Sequence, residues 1–163
     1  MNIFLLDTDP TICAQMHCDK HVVKMVLETA QLLCSAYEPG TAPYKRTHYN
    51  HPCAVWSRSS LCNYKYLIAL GMALCGEYTH RYGKVHKSQQ VIEWCSDNLP
   101  DVPTGDLTEM PQCMPDEFKD KDVVTAYRNY YEMKAETISP FRYTKRPVPG
   151  WLDNDKLTNI SIK

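Results

Sequence analysis

Between Thr11 and Tyr37 nearly every position off one polar stripe is apolar: Met16, Val22, Val23, Met25, Val26, Leu27, Ala30, Leu32 and Leu33. The pattern predicts a helix over 11–37, capped by Thr11 and ended before Pro39-Gly40, and central in the fold because it is apolar around most of its circumference. Ahead of it, Ile3 to Leu6 is a short apolar run closed by Asp7 and Pro10, which reads as a brief strand or extended arm. A second helical pattern starts with Pro52 in its first turn and runs through Trp56, Tyr64, Leu67, Leu70, Leu74 and Tyr78 to Tyr82, stopping at Gly83. Its length of about 30 residues predicts a kink near Gly71 or Gly76.

Residues 88–96 predict a third helix and 116–137 a fourth, with Val123, Val124, Tyr127, Tyr130 and Tyr131 as its apolar part. Between them, 97–115 carries four prolines and an acidic bias, the composition of a mobile or lid element. The tail, with Pro140, Pro147, Pro149 and Trp151, should pack extended across the surface. The expected architecture is mainly α: a compact single-domain helical fold over 1–163, with a short N-terminal strand or arm and a long C-terminal loop and tail.

Composition narrows the class. No run of about 18 apolar residues exists, and the apolar Ile3–Leu6 has no basic flank before it, so the chain reads as neither membrane-spanning nor secreted. The eight cysteines, at 13, 18, 34, 53, 62, 75, 95 and 113, show no CxxC and several sit among apolar helix positions, so they read as reduced thiols of a cytoplasmic protein. A net charge of −1 argues against a generic nucleic-acid coat. The charge is uneven, however: residues 1–90 carry nine Lys/Arg against six Asp/Glu, and residues 91–163 carry nine against thirteen. An anion-binding face is therefore expected in the first half.

All six histidines also lie there, as His17/His21, His48/His51 and His80/His86, each group beside Lys or Arg. Such clusters attract anions and can move protons near neutral pH. On the first helix His17, Lys20, His21, Lys24, Glu28 and Gln31 recur at intervals of three and four, which places them on one stripe facing a cleft. An ordinary solvent-facing stripe, with a Lys24–Glu28 ion pair, is the plain reading of the same pattern. Lys45 to Pro52 forms a loop entering a helix, where free N–H groups and the helix dipole favour phosphate or carboxylate. His51 or Asn50 as a simple cap is the plain alternative there. Arg58 follows on that helix, and Tyr78, His80, Arg81 and His86 mark the end of the pattern. Tyr44, Tyr49, Trp56, Tyr64, Tyr66, Tyr78 and Tyr82 offer faces for base stacking, though Tyr equally suits a core edge. Of Cys13, His17, Cys18 and His21, only the histidines have the i,i+4 spacing of paired ligands, and there is no HExxH, so no metal is assigned and no cofactor is called for.

The order of motifs is familiar. Asp9-Pro10, then Cys18-Asp-Lys-His-Val-Val-Lys-Met-Val-Leu-Glu-Thr-Ala-Gln-Leu-Leu33, then Asn50-His-Pro-Cys-Ala-Val-Trp56, then Cys75-Gly-Glu-Tyr-Thr-His-Arg-Tyr-Gly83 resembles bacteriophage and bacterial proteins grouped with the pyrimidine-dimer DNA glycosylases of the phage endonuclease V type. The similarity spans roughly residues 1–87, with 88–163 as an extension. It implies a helical fold, DNA as partner, and attack of an amine on the sugar C1′, giving a Schiff base that permits β-elimination with a carboxylate assisting. In that family the amine belongs to a Thr exposed by removal of Met. Here residue 2 is Asn, beside which Met1 is expected to stay, and Val22, Val23 and Lys24 occupy the turn of the family's helical Glu.

The resulting expectation is a phage-encoded glycosylase/lyase in the host cytoplasm. Lys24, with Lys20 as a second candidate, or the N-terminal amine is the nucleophile, Glu28 the acid/base, and His21 a further catalytic residue that also holds phosphate. Lys20, His48, Asn50, His51, Trp56, Arg58, Tyr78 and Arg81 form the ligand-binding set. A non-catalytic protein that sequesters a small phosphorylated nucleotide, such as a host defence signal, fits the near-neutral charge, and a nucleotide hydrolase is a third reading. A sequestering protein could close its pocket with a second copy of the chain as a homo-oligomer.

Overall fold

The structure, a computed structural model, describes residues 1–152. Among them are six α-helices and a 3-10 turn and no strand: α1 (Pro10–Met16), α2 (Asp19–Cys34), α3 (Pro52–Ser59), α4 (Leu61–Tyr82), α5 (Gln89–Asp97), the turn Asp116–Phe118, and α6 (Val123–Thr137). Lys156 and Lys163, counted in the charge of the second half, lie outside the described residues. The core is built around α4, which lies against α1, α2, α3 and α5, with α2 also touching α3 and α5. No helix among the described residues is long and apolar enough to cross a membrane.

Two expected helices are each two. The first breaks at His17–Cys18, where tertiary partners take the amides that an unbroken helix would use: Tyr131 hydroxyl accepts from Cys18 N–H at 2.8 Å, and Arg142 O accepts from Asp19 N–H at 2.8 Å. Its cap is Asp9, not Thr11; the Asp9 carboxylate accepts from the N–H of Thr11 and Ile12, with Pro10 at the first helical position. The helix also ends at Cys34, short of Tyr37. The second expected helix breaks at Ser60, which is extended (φ −151°, ψ 155°) and caps α4 through its hydroxyl. α4 runs on without a break through both Gly71 and Gly76. Gly71 permits close packing: a Cβ there would stand 2.9 Å from Thr29 Cγ2 and 3.1 Å from Ile92 Cδ1.

The Ser60 break and the segment after α5 explain each other. Leu61 N–H donates to Pro103 O, Ser60 hydroxyl to Asp106 O, and Asn63 exchanges hydrogen bonds with Thr108 through both its amide atoms. The segment expected over 97–115 as a mobile or lid element is laid down over 98–115 as a strap across the α3–α4 joint, with Met110 buried beneath. The fourth helix starts at Val123 rather than Asp116, because Asp122 caps it.

Ile3–Leu6, expected as a brief strand or extended arm, is a buried irregular arm, since no strand among the described residues offers it a ladder. Its four side chains enter the core, and Arg128 Nε of α6 donates to Leu6 O. The tail packs as expected as far as it is described, with Phe141, Tyr143 and Leu152 buried.

A buried ion network locks the α1–α2 joint to α4 and the tail. Arg81 donates to Glu77 at 2.8 Å, to Asp19 at 3.0 Å and to Gln15 O at 3.0 Å, while Arg146 also binds Glu77 and Thr144 binds Asp19. Burial pushes the Glu77 carboxyl up, but hydrogen bonds from Arg146 and Arg81 outweigh it and hold the group below the usual carboxylate range. Removing one member leaves buried charge without a partner. Arg81→Met is expected to lower unfolding stability by about 3–5 kcal/mol in a urea titration; a loss under about 1 kcal/mol would show that water replaces the guanidinium.

Candidate active site

The arm decides where the chain begins. Phe4 is stacked between His21 of α2 (ring centroids 4.5 Å apart, 28° between planes) and Tyr130 of α6 (5.9 Å, 23°). Asn2 Nδ2 donates to Cys113 O of the strap, and Asn2 Oδ1 accepts from Ile3 N–H. With both neighbours anchored, the α-amine of Met1 is held 3.3 Å from Glu28 Oε1, and both groups are buried.

These two groups share a cavity of about 210 Å³ with His21, Lys24, His51, Tyr130 and Lys134. Lys24 Nζ stands 3.8 Å from Glu28 Oε2 but is two-thirds exposed, so it guards the rim rather than the floor. Glu28 Oε2 and His21 Nδ1 are buried with no hydrogen-bond partner among the described residues. Buried polar atoms without partners are rare and mark places where water or a ligand completes the bonding. Chemically the cavity offers one amine beside a carboxylate, a neutral imidazole, and two lysines able to face a phosphate.

The two histidines near the arm are kept neutral by burial. Desolvation lowers His21 to about 3, with the charges of His17, Lys134 and Lys24 adding to it, and lowers His17 to about 4 even though Cys13 O lies 2.7 Å from its Nδ1. In the unfolded chain both would take up a proton near the ordinary value, so below it the unfolded state binds more protons and stability falls as pH falls. Between pH 7 and 5 the two together should lower unfolding stability by on the order of 3 kcal/mol. Urea titrations at the two pH values check this, and NMR titration should find both rings neutral at pH 5; a ring charged at pH 5 in the folded protein would contradict it.

Of the residues expected at the site, His21, Lys24, Glu28 and His51 line this cavity. The others have different surroundings. Arg81 is sealed in the ion network and has no face to offer a phosphate. Arg58 donates to Tyr49 O and lies 3.7 Å above the Tyr49 ring, with Arg46 also at that ring, 4.3 Å away. Trp56 is buried with its indole N–H on Thr108 O, and Lys20 donates to Ser139 O. Tyr78 packs against Tyr82 and the His86 ring. His48 and Asn50 sit exposed in the turn before α3, His48 at φ 50°. His51 does cap α3, its Nδ1 accepting from Cys53 N–H at 3.1 Å, while also lining the cavity. In the third histidine group His86 Nε2 lies 2.9 Å from Val23 O and its Nδ1 accepts from Ser88 N–H, while His80 Nε2 lies 3.4 Å from Lys145 O.

Sequence reading did not find Phe4, Met25, Cys113, Tyr130 and Lys134 as lining residues. The i,i+4 pair Tyr130/Lys134 was the only local signal, and nothing in the sequence ties it to residue 1. All eight thiols are free, with only Cys62 exposed.

No significant match was found among curated proteins or among solved structures. A family model described as pyrimidine dimer DNA glycosylase matches residues 1–91, which hold the arm, α1 to α4 and the start of α5. Since that match covers more than half of the 163 residues, the chain belongs to the pyrimidine dimer DNA glycosylase family.

Proposed function

We propose that this protein is a DNA glycosylase with abasic-site lyase activity whose nucleophile is the α-amine of Met1. The observation that carries the reading is that amine, buried 3.3 Å from the Glu28 carboxylate at the foot of a cavity. Its burial, against a Lys24 Nζ that is two-thirds exposed, favours Met1 over Lys24. Glu28 accepts the proton of the ammonium, and the freed lone pair attacks C1′ of the sugar. The glycosylic bond breaks with its electron pair leaving on the base, which takes up a proton, and ring opening gives the imine. Loss of a C2′ proton from the imine then expels the 3′ phosphate by β-elimination. Lys24 and Lys134 at the cavity hold flanking phosphates, and the Phe4–His21–Tyr130 stack forms one wall.

A cavity of about 210 Å³ is smaller than sites that enclose a whole drug-sized ligand, which run from about 300 Å³. That supports engagement of an abasic sugar, which lacks the base, within a larger DNA over sequestration of a whole free nucleotide. Borohydride reduction in the presence of dimer-containing or abasic duplex tests the reading. A covalent adduct mapped by peptide mass analysis to Met1 is expected. No adduct, together with tight binding of a free nucleotide, would sink it.

A further inference from the structure

Three sulfur and nitrogen ligands converge beside the amine. His51 and Cys53 flank Pro52 at the start of α3, and Cys113 comes from the strap, 60 residues further on. One ligand atom from each of the three lies within 4.8 Å of the others. The sulfurs of Cys53 and Cys113 are 3.7 Å apart. Two thiolates bound at about 2.3 Å to a tetrahedral zinc stand about 3.8 Å apart, so the sulfurs already have the separation such an ion imposes, whereas a disulfide would draw them to about 2 Å. The other close thiol pair, Cys34 and Cys95 at 3.9 Å, is joined by no third ligand of this kind among the described residues.

Neighbouring groups brace the cluster. Asn2 Nδ2 donates to Cys113 O at 2.9 Å, and Asn2 Oδ1 stands 3.5 Å from Cys53 Sγ. Tyr127 hydroxyl accepts from Cys113 N–H and donates to Pro111 O. Such outer contacts are what orients metal ligands in established sites.

We propose that His51, Cys53 and Cys113 bind one thiophilic divalent cation, with zinc as the probe, leaving its fourth position toward the cavity that holds Met1. The two thiols release their protons to solvent on binding, and the imidazole ligates as the neutral ring. The two thiolates balance the dication, so the charge of the cluster is unchanged. Coordination through His51 Nε2 leaves Nδ1 its hydrogen bond from Cys53 N–H, and coordination through Nδ1 replaces that bond. The ion ties the strap to α3 and fixes the wall formed by His51 and Cys113. Neither the donor set nor its geometry depends on the glycosylase reading.

Full-length protein purified in reductant without chelator should carry about one zinc per chain by elemental analysis, and cobalt(II) titration should give a thiolate-to-cobalt charge-transfer band with the visible bands of a tetrahedral site. Cys113→Ser, a half-buried position, should abolish the band and weaken zinc binding by roughly a hundredfold or more, at or beyond what loss of an outer contact does. His51→Ala should weaken binding while keeping part of the sulfur band. Cys62→Ser should bind as the parent does. Circular dichroism identifies any variant that fails to fold, in which case alkylation protection of Cys113 by zinc in the parent protein is the deciding measurement. Absence of zinc and of the cobalt band in folded parent protein, full binding by folded Cys113→Ser, lack of alkylation protection, or a Cys53–Cys113 disulfide forming with equal ease in the presence of zinc would each overturn the proposal.

Discussion

A Glu28→Gln variant is expected to stay folded and to lose about a hundredfold to ten-thousandfold in strand cleavage at an abasic site, the range for removal of a positioned acid/base. Gln keeps the shape and the amide oxygen beside the Met1 amine but cannot take its proton. The change should fall on the imine-forming step, so single-turnover rates should drop while DNA binding in a gel-shift assay changes little. The carboxylate has few substitutes. Asp19 and Glu77 are committed to Arg81, and no other carboxylate lines the cavity. A Glu28→Gln protein cleaving within threefold of the parent rate would move the acid/base role to another group.

Blocking the α-amine should have the second large effect. Acetylating the N-terminus, or extending it by a residue or two before Met1, should remove the borohydride-trapped adduct, because the added atoms occupy the position next to Glu28 that the amine now holds. Lys24→Ala should still trap, since its Nζ is exposed at the rim, 3.8 Å from Glu28 Oε2 and not needed for the attack. The reverse outcome, trapping by the acetylated protein and none by Lys24→Ala, would assign the nucleophile to Lys24. The two variants therefore separate the amines that the sequence offered as alternatives. An extension also disturbs the arm, so Asn2 and Phe4 contacts should be checked by thermal unfolding. A drop of more than a few degrees would mean that lost trapping reflects misplacement of the arm rather than blocked chemistry.

How much of this was legible before the fold was known differs from element to element. Helix content and the stop at Gly83 followed from spacing and from the left-handed glycine (φ 69°) that ends α4, whereas the helix at the centre is α4, which packs on α1, α2, α3 and α5, rather than the expected first helix. The breaks at His17–Cys18 and Ser60 did not follow from spacing, because each depends on a distant partner: Tyr131 and Arg142 for the first, Pro103 and Asp106 for the second. Sequence patterns register what a residue prefers along its own helix, and a hydroxyl 113 residues away leaves no periodic trace. The same limit dispersed the histidine groups. Their clustering in sequence suggested one pocket, yet His80 and His86 lie at the α4–α5 turn while His21 and His51 line the cavity. Arg81 looked like a phosphate ligand because a chain of residues shows charge but not the Glu77 and Asp19 that neutralise it.

By itself, then, the sequence determined a mainly helical single chain, a basic first half, free thiols, and motifs in the order of a glycosylase family. The helical stripe also supplied Glu28, and the resemblance to the family implied an amine and an assisting carboxylate, with the N-terminal amine and Glu28 as candidates. Only the tertiary structure decided that these two meet. Their contact needs Ile3–Leu6 buried between α2 and α6 and Asn2 tied to the strap, and burial of an arm is a property of the whole core, not of the four residues that form it. Equally, only the fold brings Cys113 to His51 and Cys53, because contacts between segments 60 residues apart are set by how helices pack and loops close, for which no local pattern exists.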